Sequence, residues 1–350
     1  MTIIKQADLI QSVADALQFI SYYHPKDYLA HLGRAYEREQ SPAAKDAIAQ
    51  ILTNSRLCAE GHRPICQDTG IVNVFLKIGM DVRFEGFKGS AFPSLADAIN
   101  QGVRRAYLDP DNKLRASVLE DPQFARKNTR DNTPAVISME LVPGDTVSVD
   151  VAAKGGGSEA KSKFAMLNPS DSVVDWVLKT VPTMGAGWCP PGMLGIGIGG
   201  TAEKAMAMAK EVLMEPIDMH ELLARGPQNN YEALRVELYD KVNALGIGAQ
   251  GLGGLSTVLD VKIRTYPAHA ANRPVALGAQ ARVGEDLRDR ILRGRRPFAF
   301  VGAAERLDVV ARVVVRNELQ GIGDALYQML AADDGHCRGK CGEGCGTTAI

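Results

Sequence analysis

Apolar positions recur at helical spacing over residues 4–20, the stripe that an amphipathic helix buries. A second helix is predicted to start at Ser41, with Pro42 in its first turn, and to end near Gly61. The period then changes. In GIVNVFLKIGMDVRF the residues Val72, Val74, Leu76, Ile78, Met80 and Val82 alternate with their neighbours, which predicts a half-buried strand. HRPICQDTG, residues 62–70, is therefore a helix-to-strand connection, a place where functional groups sit on a rigid frame.

Further along, AVISMELVPGDTVSVDVAAKGGG alternates, turns at Pro143-Gly144-Asp145 and alternates again, the pattern of a hairpin running into Gly155, Gly156 and Gly157. GIGIGGT precedes an Ala/Met/Lys-rich helix from about Thr201 to Met214 that stops before Pro216. Another helix is expected at 231–245, with Leu234, Leu238 and Leu245 on or near one face. It ends in GIGAQGLGG, and STVLDVKIRTYP reads as a strand. Strands and helices mix without a strict βαβ rhythm. The predicted class is α+β, mixed sheets with packed helices, with α/β as the alternative.

Length and composition add bounds. A chain of 350 residues can bury a substantial core and hold two domains. Its 45% hydrophobic content, 23% charged content and net charge of -1 are those of a soluble globular protein and favour neither nucleic acid nor an anionic membrane as partner. The N-terminus interleaves polar and apolar residues, unlike a signal peptide, and no stretch approaches the roughly 20 apolar residues of a membrane span. The expected compartment is the cytoplasm, where isolated cysteines are more often metal-binding or catalytic than paired. Residues 1–277 carry 15 Lys and 14 Arg, whereas 278–350 carry 1 Lys and 10 Arg. That shift divides the chain into a body, 1–277, and a divergent Arg-rich tail, 278–350.

Several motifs bear chemistry. Gly195, Gly197 and Gly200 satisfy G-x-G-x-x-G before a helix, but no strand ending in an acidic residue follows about 20 positions on, as a dinucleotide site requires. A glycine turn that lets backbone approach another element, or an anion at the helix start, fits better. Cys66 and Cys189 lie in irregular loops, PICQDTG and TMGAGWCPPGM, and Cys66 reads as a structural thiol, a nucleophile or a metal ligand. A nucleophile would need one of His62, His220 or His269 beside it. Arg115 suits a carboxylate, and Lys154 borders the glycine run.

Together CQDTG, AKGGGS at 153–158, GWCPPG, GIGGTAEKA and GIGAQGLGG, in this order and spacing, closely resemble the N-terminal part of class I, iron-sulfur-dependent fumarate hydratases and the related tartrate dehydratase α chains. The resemblance covers residues 1 to about 277. It implies a hydro-lyase interconverting fumarate and malate, or a tartrate dehydratase α chain, with a [4Fe-4S] cluster as Lewis acid. It implies Cys66 and Cys189 as cluster ligands, and Gln67, Asp68, Arg115, Gly157 and His269 around a small dicarboxylate, with Asp68 and His269 catalytic. Three departures accompany it. Ala160 stands where the family has asparagine, and Ala281 stands where the third cluster cysteine is expected. The family's C-terminal half is absent, which implies a homodimer or an α/β partner chain carrying the rest of the site. The tail's HCRGKCGEGCG, with Cys337, Cys341 and Cys345, is a candidate source of the missing thiolate. A truncated or frame-altered, catalytically silent chain is the reading of a different class.

Overall fold

The N-terminal apolar stripe forms α1, Gln6–Tyr22, which buries Leu9, Val13, Leu17 and Ile20. The residues ahead of it, Thr2–Lys5, are extended (β1) because they pair in parallel with β3, Val82–Glu85. In this computed structural model residues 2–280 are described; position 281 and the tail cysteines lie outside the described residues. After α2, Lys26–Arg38, comes α3, Pro42–Gly61, with Ser41 and Pro42 at its start as the sequence predicts.

The strand expected over 71–84 breaks in two. β2, Ile71–Gly79, ends at a turn where Met80 is 66% exposed, and β3 resumes at Val82. Nor is β2 half-buried: Val72, Asn73, Val74, Phe75 and Leu76 are all buried, because β2 is the middle strand of a sheet ordered β4-β2-β5. β4 is Val136–Val142 and β5 is Val147–Lys154. This corrects the hairpin reading. The two strands do turn at Pro143–Asp145, but β2 lies between them, parallel to β4 and antiparallel to β5. Strict alternation is the same whether two strands pair directly or through a third. Gly79 permits the insertion: a Cβ there would lie 2.3 Å from the Gly144 carbonyl oxygen, so the turn folds over the end of β2. α1 and α4, Leu95–Tyr107, cover this sheet and share its core.

A second sheet is ordered β6-β9-β7-β8, with β6 Lys163–Leu167, β7 Gly192–Gly199, β8 Val258–Tyr266 and β9 Arg273–Gln280. The short α5, Gly156–Glu159, joins the two sheets in sequence. On one face of the second sheet, Leu194, Ile196, Val261 and Leu277 pack against α6 (Val173–Met184), α8 (Met219–Arg225) and α9 (Asn230–Ala244). On the other face α7, Ala202–Glu211, lies against the strand itself. A Cβ on Gly195 or Gly197 would meet the carbonyl oxygens of Ala209 or Ala205 at 2.2 and 2.1 Å. GIGIGGT is therefore mostly strand, and its glycines serve close helix approach rather than a dinucleotide.

β7 is parallel to β8 and antiparallel to β9, so both larger sheets are mixed and the class is α+β. β9 runs unbroken across residue 277 to Gln280. Among the described residues no helix is long and apolar enough to cross a membrane.

Candidate active site

Residues 62–66 leave α3 through His62, whose φ of 47° and ψ of 51° end the helix in the left-handed region. The loop is then sewn to its surroundings by polar contacts. The Ile65 N–H donates to the Ser21 carbonyl at 2.8 Å, and Asn54 Nδ2 donates to the Ile65 carbonyl at 2.9 Å. His62 Nε2 lies 3.2 Å from the Tyr23 hydroxyl. These contacts present Cys66 as an exposed free thiol.

Two residues on, Asp68 is oriented by backbone. Its Oδ1 accepts from the Gly70 N–H at 3.1 Å and its Oδ2 from the Gly156 N–H at 2.7 Å. Such bonds to the ionised form hold a carboxylate in one pose. The pose depends on Gly70, at φ 73°, where a Cβ would lie 2.5 Å from the Lys154 carbonyl carbon. Thr69 donates from Oγ1 to the Arg115 carbonyl, and Tyr107 donates from its hydroxyl to the Thr69 carbonyl at 2.8 Å. Burial pushes the Tyr107 phenol up to about 12, so it remains a donor.

Cys189 reaches the same place from the second sheet, just before β7. It sits at φ 59°, strained for a residue with a side chain, with its N–H donating to the Ala186 carbonyl at 2.9 Å. Gln250 holds the loop from the other side: its N–H and Nε2 both donate to the Pro190 carbonyl, at 2.7 and 2.9 Å. The glycine run packs against this loop, since a Cβ on Gly157 would lie 2.2 Å from the Gly187 carbonyl oxygen.

Cys66, Asp68, Gly157 and Cys189 thus line one cavity of about 560 Å³, together with Tyr28, Trp188, Gln250 and Gln280. That volume is within the range of small-molecule sites. Burial raises the Cys189 thiol above its ordinary value, and negative charge on Cys66 and Asp68 raises it further. Burial also lowers His24, in the cavity wall, to about 4, leaving it neutral.

The remaining expected residues stand elsewhere. Gln67 and Arg115 flank the cavity through their neighbours: Gln67 lies between Cys66 and Asp68, and the Arg115 carbonyl anchors Thr69. His269 is exposed on the loop after β8, its Nδ1 accepting from the Ala271 N–H at 3.1 Å. Because β7 and β8 are parallel, Cys189 before β7 and His269 after β8 lie at opposite ends of the sheet, about 25 Å apart by strand rise.

Three functional supports escape sequence reasoning. Asn132, buried at φ 61°, accepts from the Ser117 and Val118 N–H groups and donates to the Gly70 carbonyl. Gln250 and Tyr107 brace the loops as described. The one available signal was an asparagine or glutamine among turn residues, in RDNTP and GAQG.

A family model for fumarate hydratase (Fumerase) matches residues 10–283. The chain is 34% identical over 276 residues to the Methanocaldococcus jannaschii protein named "Putative L(+)-tartrate dehydratase subunit alpha", covering 77% of this chain and 92% of that one. It is 29% identical over 276 residues to the L(+)-tartrate dehydratase subunit alpha of Escherichia coli O157:H7, covering 77% and 86%.

Proposed function

The chain belongs to the fumarate hydratase family, and from that premise we propose that it is a hydro-lyase chain that removes water from a small 2-hydroxy dicarboxylate or adds it across the double bond of the matching unsaturated one. The single observation that carries this reading is the convergence of Cys66, Asp68, Gly157 and Cys189 on one cavity from two different sheets. Fumarate and malate are the first substrate pair. L(+)-tartrate is the second, favoured by the names of the two relatives.

In this reading Asp68, fixed by the Gly156 and Gly70 amides, orients the substrate hydroxyl and handles a proton at its free lone pairs. The Gly157 N–H, the Gln67 amide and the Arg115 guanidinium bind the carboxylates, and bidentate arginine matches that geometry. His269, which within this chain stands at the far end of the sheet from Cys189, joins the set on the family resemblance alone. Cys66 and Cys189 are proposed as two thiolate ligands of a [4Fe-4S] cluster. When bound, such a cluster supplies an iron Lewis acid for the hydroxyl. Two exposed thiols sharing a cavity fit that donor chemistry. The set stops one short: among the described residues no group of three His, Cys, Asp or Glu side chains is disposed to hold a metal ion. Position 281, alanine here, lies outside the described residues.

The relatives' designation as subunit alpha supports an α/β partner chain that completes the site, with a homodimer as the alternative. The test is turnover of fumarate, L-malate and L(+)-tartrate by the reconstituted full chain, alone and mixed with a β-type chain of L(+)-tartrate dehydratase. Turnover is expected with one substrate pair, and Asp68→Asn is expected to lower it by about 10²-fold or more. Absence of turnover in both mixtures, with iron bound, overturns the reading in favour of a catalytically silent chain.

A further inference from the structure

Beneath the cavity lies a charged side chain that the proposed chemistry does not use. Lys154 ends β5 in the three-stranded sheet and is 2% exposed. Its ammonium donates to the Ala279 carbonyl at 3.1 Å, in β9 of the four-stranded sheet. It also lies 3.6 Å from Glu159 Oε2 on α5, while Lys210 of α7 holds Glu159 Oε1 at 2.6 Å. A buried ammonium is costly unless its donors are used, and removing one partner of such a set is costlier still. The hydrogen bond from the Lys154 ammonium to Ala279 joins the two sheets.

What it joins is the cavity wall. Residue 280, next to Ala279, lines the cavity, and the backbone that follows Lys154 is the glycine run. Gly156 donates to Asp68, two residues after Cys66. Gly157 abuts Gly187, two residues before Cys189. Gly70 closes directly on the Lys154 carbonyl. We propose that Lys154 is a positioning residue of the hydro-lyase site: by its hydrogen bond to the Ala279 carbonyl and its ion pair with Glu159 it fixes the 155–157 turn, and through that turn sets the Cys66–Asp68 and Cys189 loops together. The inference deepens the functional reading above and rests on it for the name of the site, while its geometry can be tested without turnover.

The test compares cysteine reactivity at fixed pH in the metal-free full chain. Iodoacetamide labelling is read peptide by peptide in the parent, Lys154→Met and Lys154→Arg. Cys66 and Cys189, both exposed, report the two loops through the surroundings that set each thiol's reactivity. General loosening is read separately by urea unfolding, since Cys58 bonds the Pro64 carbonyl of the Cys66 loop itself. Lys154→Met is expected to change the labelling rates of Cys66 and Cys189 together by about threefold or more while the variant stays folded. Lys154→Arg, which keeps the charge and donors, is expected to return both rates toward the parent's. Unchanged rates at both cysteines in a folded variant, or a change at only one, overturns the proposal. Should Lys154→Met fail to fold, Glu159→Gln, which removes the carboxylate while leaving the ammonium its carbonyl, is judged by the same pattern. Dicarboxylate turnover, measured separately, decides the functional reading whichever way the labelling falls.

Discussion

The Cys66 loop is held by hydrogen bonds from backbone and side chains, the Cys189 loop by close glycine contacts and Gln250. Around Cys66 the Ile65 N–H bonds the Ser21 carbonyl, Asn54 bonds the Ile65 carbonyl and His62 meets Tyr23. Around Cys189, Gly157 presses on the Gly187 carbonyl, Gly251 would place a Cβ 2.6 Å from the Ala186 side chain, and Gln250 closes on the Pro190 carbonyl. A loop tied by hydrogen bonds loses one bond at a time. Where an added atom would meet another main chain, as at Gly157, the loop has no give.

That contrast is broken most sharply at Gly157. Gly157→Ala puts a methyl on the Gly187 carbonyl, and overpacking of this kind is expected to cost about 3 kcal/mol of stability by urea unfolding. A variant as stable as the parent would show that the Cys189 loop yields freely. On the other side, Asn54→Ala removes one hydrogen bond to the Ile65 carbonyl and is expected to cost about 1 kcal/mol. Its iodoacetamide labelling should speed at Cys66 and leave Cys189 alone; acceleration at both would make the two loops one unit even without the glycine contacts.

A pH-dependent effect concerns Lys154, on whose backbone Gly70 closes. Burial lowers its ammonium to about 8, partly opposed by Glu159 and aided by Lys210. A lysine whose folded value is depressed binds fewer protons than the unfolded chain between about 8 and its ordinary 10.5, so its contribution to stability rises with pH across that window. Urea unfolding of the parent minus Lys154→Met should therefore shift in the parent's favour from pH 8 to pH 10. A flat difference would mean that the ammonium is not desolvated.

Much of this was readable in the chain. Period 3.6 located α1 and α3, the Ser41-Pro42 start included, and the irregular loops around Cys66 and Cys189 stood out because neither sits in an apolar run. Other features were not. Alternation on both sides of Pro143-Gly144-Asp145 carries no record of β2 between the two strands, and the G-x-G-x-x-G spacing serves helix packing as well as phosphate. The site's closure depends on long-range contacts, such as Asp68 with Gly156, 88 positions apart, and Lys154 with Ala279, 125 apart, which no local pattern encodes.

The most direct test is iron and sulfide reconstitution of the full chain under anaerobic conditions, with iron per chain and visible absorbance measured for the parent, Cys66→Ser and Cys189→Ser. The account predicts that the parent holds an iron-sulfur chromophore and that each single substitution abolishes or strongly depletes it, since both thiols face one cavity. Equal retention in the parent and both variants, or no retention in the parent even with a β-type chain present, would contradict it.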